Sequence, residues 1–344
     1  MLKELKFVQG AVGKKDLLPA MTHFQIQGGH VRSYNGTLAI SSPLPFDINC
    51  CPKADQLVKA IGQCEEVITL SMTPGGKLRV QSGKFRAFVE NTEDTGFHPV
   101  PEGAPLAFDG DMLLKALKIL YPFIGNDASR PWTNGVLLNG QSAFATNNTC
   151  VVEYWLGSPF PNQINVPKAC IKEMLRVDEP PTHGQLAGNS ITFHYADGRW
   201  IRSQLLGVEW PFEQITGILN RDNAPVKLPD DLFPAITKLN RLSDGSNRIY
   251  INYGLLTTHM EEEQGGSVEV DGLEFQGCYN IAMFSLLEGA VTHADFTLYP
   301  EPALFFGDRL RGAIIGMRSQ FDGQSFSATG KTVEQRMAEG QKVT

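Results

Sequence analysis

Pro52-Lys53-Ala54 opens a helical stretch, Pro167-Lys168-Ala169 opens another 115 residues later, and a more worn copy, Tyr279-Asn280-Ile281-Ala282, follows about 113 residues on. The chain therefore reads as three copies of one unit, and no other feature narrows its folding choices so far. Solenoid repeats run to roughly 20–50 residues and bury a core only by stacking. The much longer period here lets each copy close a core of its own.

Three segments carry one pattern: a strand, a short turn, a second strand, then a hairpin edge with a basic residue and an arginine. They are residues 65–90, 184–206 and 294–316, and their arginines Arg86, Arg202 and Arg311 lie 116 and 109 residues apart. Alternation such as Ile68/Leu70/Met72 and Leu78/Val80 has the period of a half-buried strand. Pro74-Gly75-Gly76 and Asp197-Gly198 supply hairpin-turn chemistry. The first two copies close on Phe97-His98-Pro99 and Trp210-Pro211. Helix-led segments lie between these blocks: residues 3–12, residues 111–118 with apolar positions at i, i+3 and i+4, and residues 230–236. Asp111, Asp230 and Asp231 sit at helix starts, where carboxylates cap amides and favour the dipole. Hairpins are expected over 135–139 with 143–155, and over 248–253 with 255–260.

Six helices follow, starting near residues 3, 54, 111, 168, 230 and 280, each leading into about three strands. This is an α+β chain of three tandem domains, each made of two similar sheet/helix half-repeats. Pro, Gly and acidic residues cluster at 99–105 and 220–225, placing the domains at 1–104, 105–224 and 225–318. Beyond Arg318 the hydrophobic pattern stops. Residues 319–344, rich in Ser, Gly, Gln and Thr, read as a flexible tail.

Hydrophobic content of 42% and charged content of 19% fit a globular chain. No apolar run nears the roughly 18 residues that span a bilayer, so no membrane partner is expected. The acid-bearing start Met1-Leu2-Lys3-Glu4 does not read as a signal peptide. Cys50, Cys51, Cys64, Cys150, Cys170 and Cys278 show no C-x-x-C spacing; they read as small buried residues in a reducing, cytoplasmic compartment.

The net charge of −7 argues superficially against nucleic acid. Its distribution argues otherwise. The helical windows 3–15, 53–63, 111–121, 168–177, 230–241 and 280–290 sum to +6, leaving −13 for the remainder. Lys168, Lys172 and Arg176 recur every four residues along one helix, whose apolar face is Ile171, Met174 and Leu175. Such a stripe alone is usually a solvated face. Lys115/Lys118 and Lys238/Arg241 repeat it on other helices, which points to a shared positive surface that holds phosphates without reading bases.

Signs of catalysis are absent from the sequence. Seven histidines form no metal-ligand spacing, and no G-x-S-x-G elbow occurs. Residues 325–332 nearly spell a phosphate loop, but Ser325 stands in place of the first glycine and no buried strand precedes it. The expectation is a protein without enzymatic activity, cofactor or metal.

Several stretches carry a likeness to a known family. They are KLRVQSGKFRAFVENTEDTGFHPVPE, NGVLLNG with AFATNNTCVVEY, INVPKACIKEMLRV, ITFHYADGRWIRSQLLGVEWPF and the final LRGAIIGMR. In this order and spacing the chain resembles the bacterial DNA polymerase III beta subunit, the sliding clamp, over about residues 1–318. The short domains and the added tail suggest a divergent, phage-encoded member. The resemblance implies a homodimeric ring of two protomers closed head to tail, with helices lining the hole. Residues 84–90 would then meet residues 236–252 of the second copy. It implies a processivity factor in a bacterial or phage-infected cell, encircling double-stranded DNA and tethering a replicative DNA polymerase. A separate clamp loader ATPase opens such rings.

The likeness also maps two surfaces. Loops that touch DNA in the family fall here on Lys14, Lys15, Arg130 and Trp132, the last standing where the family has an aromatic. A hydrophobic groove that receives partner peptides, from a polymerase or other proteins with a clamp-binding motif, falls on Thr133, Thr146, Asn148, Thr149, Val151, Pro211, Ile215, Ile314, Ile315, Met317 and Arg318. The family's Asp-Gly-His-Arg stretch reads Asn147-Asn148-Thr149-Cys150 here, losing a cation. Its Met-Pro-Met-Arg ending reads Ile315-Gly316-Met317-Arg318. Only one of Ile314 and Ile315 can finish a core strand, since neighbours point to opposite faces. Phe321 and Phe326 in the tail lie within reach of the groove. Two other readings stay open: a structural or interaction protein that uses the same repeated domains without DNA, and a hydrolase with a site assembled across domains.

Overall fold

The computed structural model describes residues 1–14, 19–93, 99–243, 245–260 and 264–319. Lys15, Phe97, His98, the near-loop at 325–332, Phe321 and Phe326 lie outside these residues.

Eight α-helices occur among the described residues: α1 (Leu2–Val8), α2 (Pro19–Thr22), α3 (Ala54–Gly62), α4 (Gly110–Leu120), α5 (Lys168–Val177), α6 (Phe212–Leu219), α7 (Leu232–Asn240) and α8 (Ile281–Ser285). Six of them start within two residues of the expected positions; α2 and α6 were not anticipated. The capping differs from expectation. Asp109, not Asp111, caps α4 by accepting from the Met112 amide at 3.0 Å, because the helix already begins at Gly110. Asp231 flanks α7 without a side-chain cap, whereas Asn280 caps α8 through the Met283 amide. Amphipathic spacing explains what each helix buries. In α5, Cys170, Ile171 and Met174 are buried while Lys172 is exposed; Leu175 is only half-buried.

The repeated strand pattern folds as three antiparallel meanders. The first is Ile68–Met72, Leu78–Ser82 and Phe85–Val89; the second His183–Ala187, Ser190–His194 and Trp200–Gln204; the third His293–Asp295, Ala303–Gly307 and Leu310–Ile314. In the first, Pro74-Gly75-Gly76 makes the turn: the Gly76 amide reaches the Thr73 carbonyl at 3.0 Å with Gly76 at φ +74°, a conformation that suits glycine.

Two compact units organise the described chain. Residues 1–121, 135–141 and 156–208 form the first, and residues 122–134, 142–155 and 209 onward form the second. The unit boundaries do not fall at 104 and 224, and sheet pairing gives the reason. In the first unit, the outer strand of the second meander pairs with Leu38–Pro43, Ile201 facing Ile40, inside a seven-stranded sheet that also takes in Ala104–Leu106. In the second unit, the outer strand of the third meander pairs with Cys150–Tyr154, Val152 facing Gly312. Among the described residues the outer strand of the first meander, Phe85–Val89, pairs only inward with Leu78–Ser82. The second unit also holds a four-stranded sheet that ends on Ser267–Glu269. The paired helices α1 with α3 and α4 with α5 belong to the first unit, and α7 with α8 to the second.

Candidate partner-peptide groove and cationic helix faces

The groove residues all fall in the second unit, and backbone pairing gathers them. Gly125 donates its amide to the carbonyls of both Thr133 (2.9 Å) and Thr146 (3.1 Å), tying the two threonines together. A Cβ at Gly125 would stand 2.4 Å from Thr133 Oγ1, so this close approach requires glycine. Asn147 shapes the adjoining turn: its Oδ1 accepts from the amides of Thr149 (3.1 Å) and Cys150 (2.9 Å). The Ile315 amide then donates to the Thr149 carbonyl at 2.9 Å, which sets the chain's last strand beside this turn. Helix α6, with Pro211 at its N-cap, packs against Leu310–Ile314.

Burial sorts the set. Thr133, Thr146, Val151 and Ile314 are buried; Thr149, Pro211, Ile215 and Met317 are half-buried; Asn148, Ile315 and Arg318 are exposed. Ile314 is 0% exposed and Ile315 45%, so Ile314 finishes the core strand and Ile315 presents its side chain outward. The next step of the chain is fixed. A Cβ at Gly316 would lie 2.6 Å from the Pro300 carbonyl, the Met317 amide donates to the Cys278 carbonyl, and Tyr299 Oη donates to the Met317 carbonyl at 2.7 Å.

Arg130 and Trp132, expected on the DNA side, belong to this same unit. Arg130 Nη1 donates to Asn148 Oδ1 at 3.0 Å, so the two mapped surfaces meet at Asn148. Trp132 is half-buried with its ring edge-on to the fully buried Trp210 (centroids 5.5 Å), in a cluster with Phe144 and Phe212. Lys238 on α7 and Arg241 just beyond it are exposed.

In the first unit, Lys14, Lys115, Lys118 and Lys172 are exposed and Lys168 is half-buried, its ammonium 5.6 Å from the centre of the Tyr121 ring. Lys118 pairs with Asp178 at 2.6 Å. Arg176 is engaged rather than simply solvated. It donates to the Lys6 (3.2 Å) and Phe7 (2.7 Å) carbonyls, at the C-terminal end of α1, and to Glu173 at 2.6 Å. These bonds satisfy carbonyls that a helix end leaves open.

Sequence reasoning did not anticipate Arg199. It is buried, paired with Glu179 and Asp197, and lies over the Phe7 ring at 4.7 Å. Together with Lys3, Lys6 and Arg176 it lines an open cleft of about 440 Å³ between α1 and α5. Its only sequence signal was a basic residue after the Asp197-Gly198 turn. Helix α6 was likewise missed, although Pro211, Glu213 and the apolar spacing Phe212/Ile215/Leu219 spell a helix start.

Burial, with Cys51 alongside, pushes the Cys50 thiol up to about 12, and burial pushes Cys170 to about 12 as well. Among the described residues no group of three or more His, Cys, Asp or Glu side chains converges as a metal site, and no helix is long and apolar enough to cross a membrane.

No family model matches this sequence, and no curated protein matches it by sequence. Solved structures do. The DNA polymerase sliding clamp of Bacillus subtilis superposes with a TM-score of 0.80 at 14% identity, covering 92% of this chain and 97% of its own. The DNA polymerase III subunit beta of Pseudomonas aeruginosa, solved bound to griselimycin, gives 0.77 at 18% identity, covering 93% and 97%. The Helicobacter pylori beta clamp, solved bound to a DNA ligase peptide, gives 0.76 at 14% identity, covering 92% and 97%. At such identities the likeness is one of fold: this α+β chain folds as bacterial DNA sliding clamps fold.

Proposed function

We propose that this chain is a DNA sliding clamp, a non-catalytic processivity factor that encircles duplex DNA without reading sequence and tethers a DNA polymerase through the groove of its second unit. The observation that carries the reading is the clamp fold over 92% of the chain combined with where its charge lies. As bounded in the structure, α1, α3, α4, α5, α7 and α8 hold nine lysines and arginines against four acids, in a chain whose net charge is −7. Cations concentrated on helices give phosphate affinity, and encirclement lets individual contacts stay weak enough to slide. Tethering then raises the local concentration of the polymerase at its template.

On this reading the three repeats, 1–104, 105–224 and 225–318, are the clamp's domains, and the ring is completed by a second copy. Two meanders are already extended by a foreign strand, while among the described residues Phe85–Val89 and Ser267–Glu269 each keep an open edge. The expected partner stretch 236–252 does not offer one, because Arg248–Asn252 is paired on both sides within its sheet, so the edge proposed to meet Phe85–Val89 is Ser267–Glu269. An edge of one copy meeting the other edge of the next would repeat the same pairing and close the ring. A loader ATPase would open it, and the clamp would work in the cytoplasm. The groove would take short peptides with bulky apolar ends; a clamp of the same fold, that of Helicobacter pylori, has been solved bound to a DNA ligase peptide.

The test is retention on DNA. Loaded onto a nicked circle, the protein should stay bound through gel filtration and be released when the circle is linearised. A protein that treats circle and line alike is not a clamp.

A further inference from the structure

The sequence continues past Arg318, and the point where it leaves the last described strand is informative. Ile315 and Met317 are groove residues, and the bonds of Met317 to Cys278 and Tyr299 fix the exit. The following 25 residues, 320–344, carry two aromatic side chains, Phe321 and Phe326, both within the first seven. At about 3.3–3.6 Å per residue, Phe321 lies within roughly 7 Å of Ser319 along the chain and Phe326 within roughly 25 Å. Ile315, nearly half exposed, is an outward apolar side chain two residues before Met317, which is itself half-buried.

We propose that residues 320–344 bind back into the groove of their own chain through Phe321 or Phe326 and hold it against partner peptides until a stronger ligand displaces them. The inference rests on the peptide-groove reading above and adds its regulation. Proximity makes even weak docking effective. A segment with a dissociation constant on the order of 100 µM, held at an effective concentration on the order of 1 mM, occupies its site about nine-tenths of the time and weakens competitors about tenfold.

The experiment compares the full chain with a chain ending at Ser319. The probes are a fluorescein-labelled peptide of residues 319–330 and a short peptide with a bulky apolar end, of the kind the proposed groove would take. The shortened chain should bind the tail peptide saturably, and the apolar peptide should compete. The full chain should bind both probes about tenfold more weakly, and Phe321→Ala with Phe326→Ala should restore the shortened chain's affinity. Equal apolar-peptide affinity for both chains, with no tail-peptide binding, removes the tail from the groove and leaves the groove reading intact. Failure of both probes on the shortened chain overturns both. Inhibition that grows with protein concentration assigns the tail to a second copy and overturns binding within the chain.

Discussion

Ile314 and Ile315 are adjacent, chemically identical and opposite in role. Ile314 is buried without remainder against Cys150 in the paired sheet, while Ile315 faces out toward the proposed groove. Ile314→Ala should cost about 2–5 kcal/mol of unfolding free energy, as cavity-forming core truncations do. Ile315→Glu should change stability by no more than about 0.5 kcal/mol yet abolish binding of apolar peptides. Urea unfolding and peptide titration on both variants separate the two. Asp295 offers a pH handle. Burial alone would raise its carboxyl, but hydrogen bonds from Thr297 and from the Ala224 amide, with Arg221 nearby, outweigh that and hold it below the usual range. A carboxyl lowered by folding stabilises above its unfolded value, about 3.9, and that share is lost as pH falls through the folded value. Asp295→Asn should therefore lower the urea midpoint at pH 7 and flatten its decline below about pH 4. None of this network was legible in the sequence, because Ala224 and Asp295 are 71 positions apart.

The elements themselves were largely legible. The meanders announced themselves through alternation and turn residues, and the six helices through apolar spacing and their shared openings. What the sequence hid was the pairing between meanders and distant strands. Leu38–Pro43 and Trp200–Gln204 are separated by some 160 residues, and nothing local encodes that partnership. Arg176 shows the same blindness: on a helical wheel it completes a basic stripe, whereas in space it closes the end of α1. The open strand Phe85–Val89 carries its own prediction. Phe88 is 55% exposed there; if this edge closes the proposed ring, Phe88→Glu should leave the fold intact by circular dichroism while shifting the solution mass from twice 37.8 kDa toward a single chain, and a mass that does not move takes this strand out of the interface.

At the scale of the whole molecule, the clamp reading requires an acidic protein to hold a polyanion, and cations gathered on helices are what would allow it. Each cation that neutralises a phosphate steepens the salt dependence of binding by about 0.9 in log–log slope. Lys172→Ala together with Lys238→Ala removes two exposed cations from different helices. The slope should fall by about two, with thermal unfolding unchanged. The same scale exposes a cost of the stitched sheets. A repeat excised as a cassette, residues 105–224 for instance, would carry away Trp200–Gln204 without Leu38–Pro43 and Cys150–Tyr154 without Leu310–Ile314. Each torn seam is a template for unwanted strand addition. No single repeat can be moved out of this chain without stranding a partner in what stays behind.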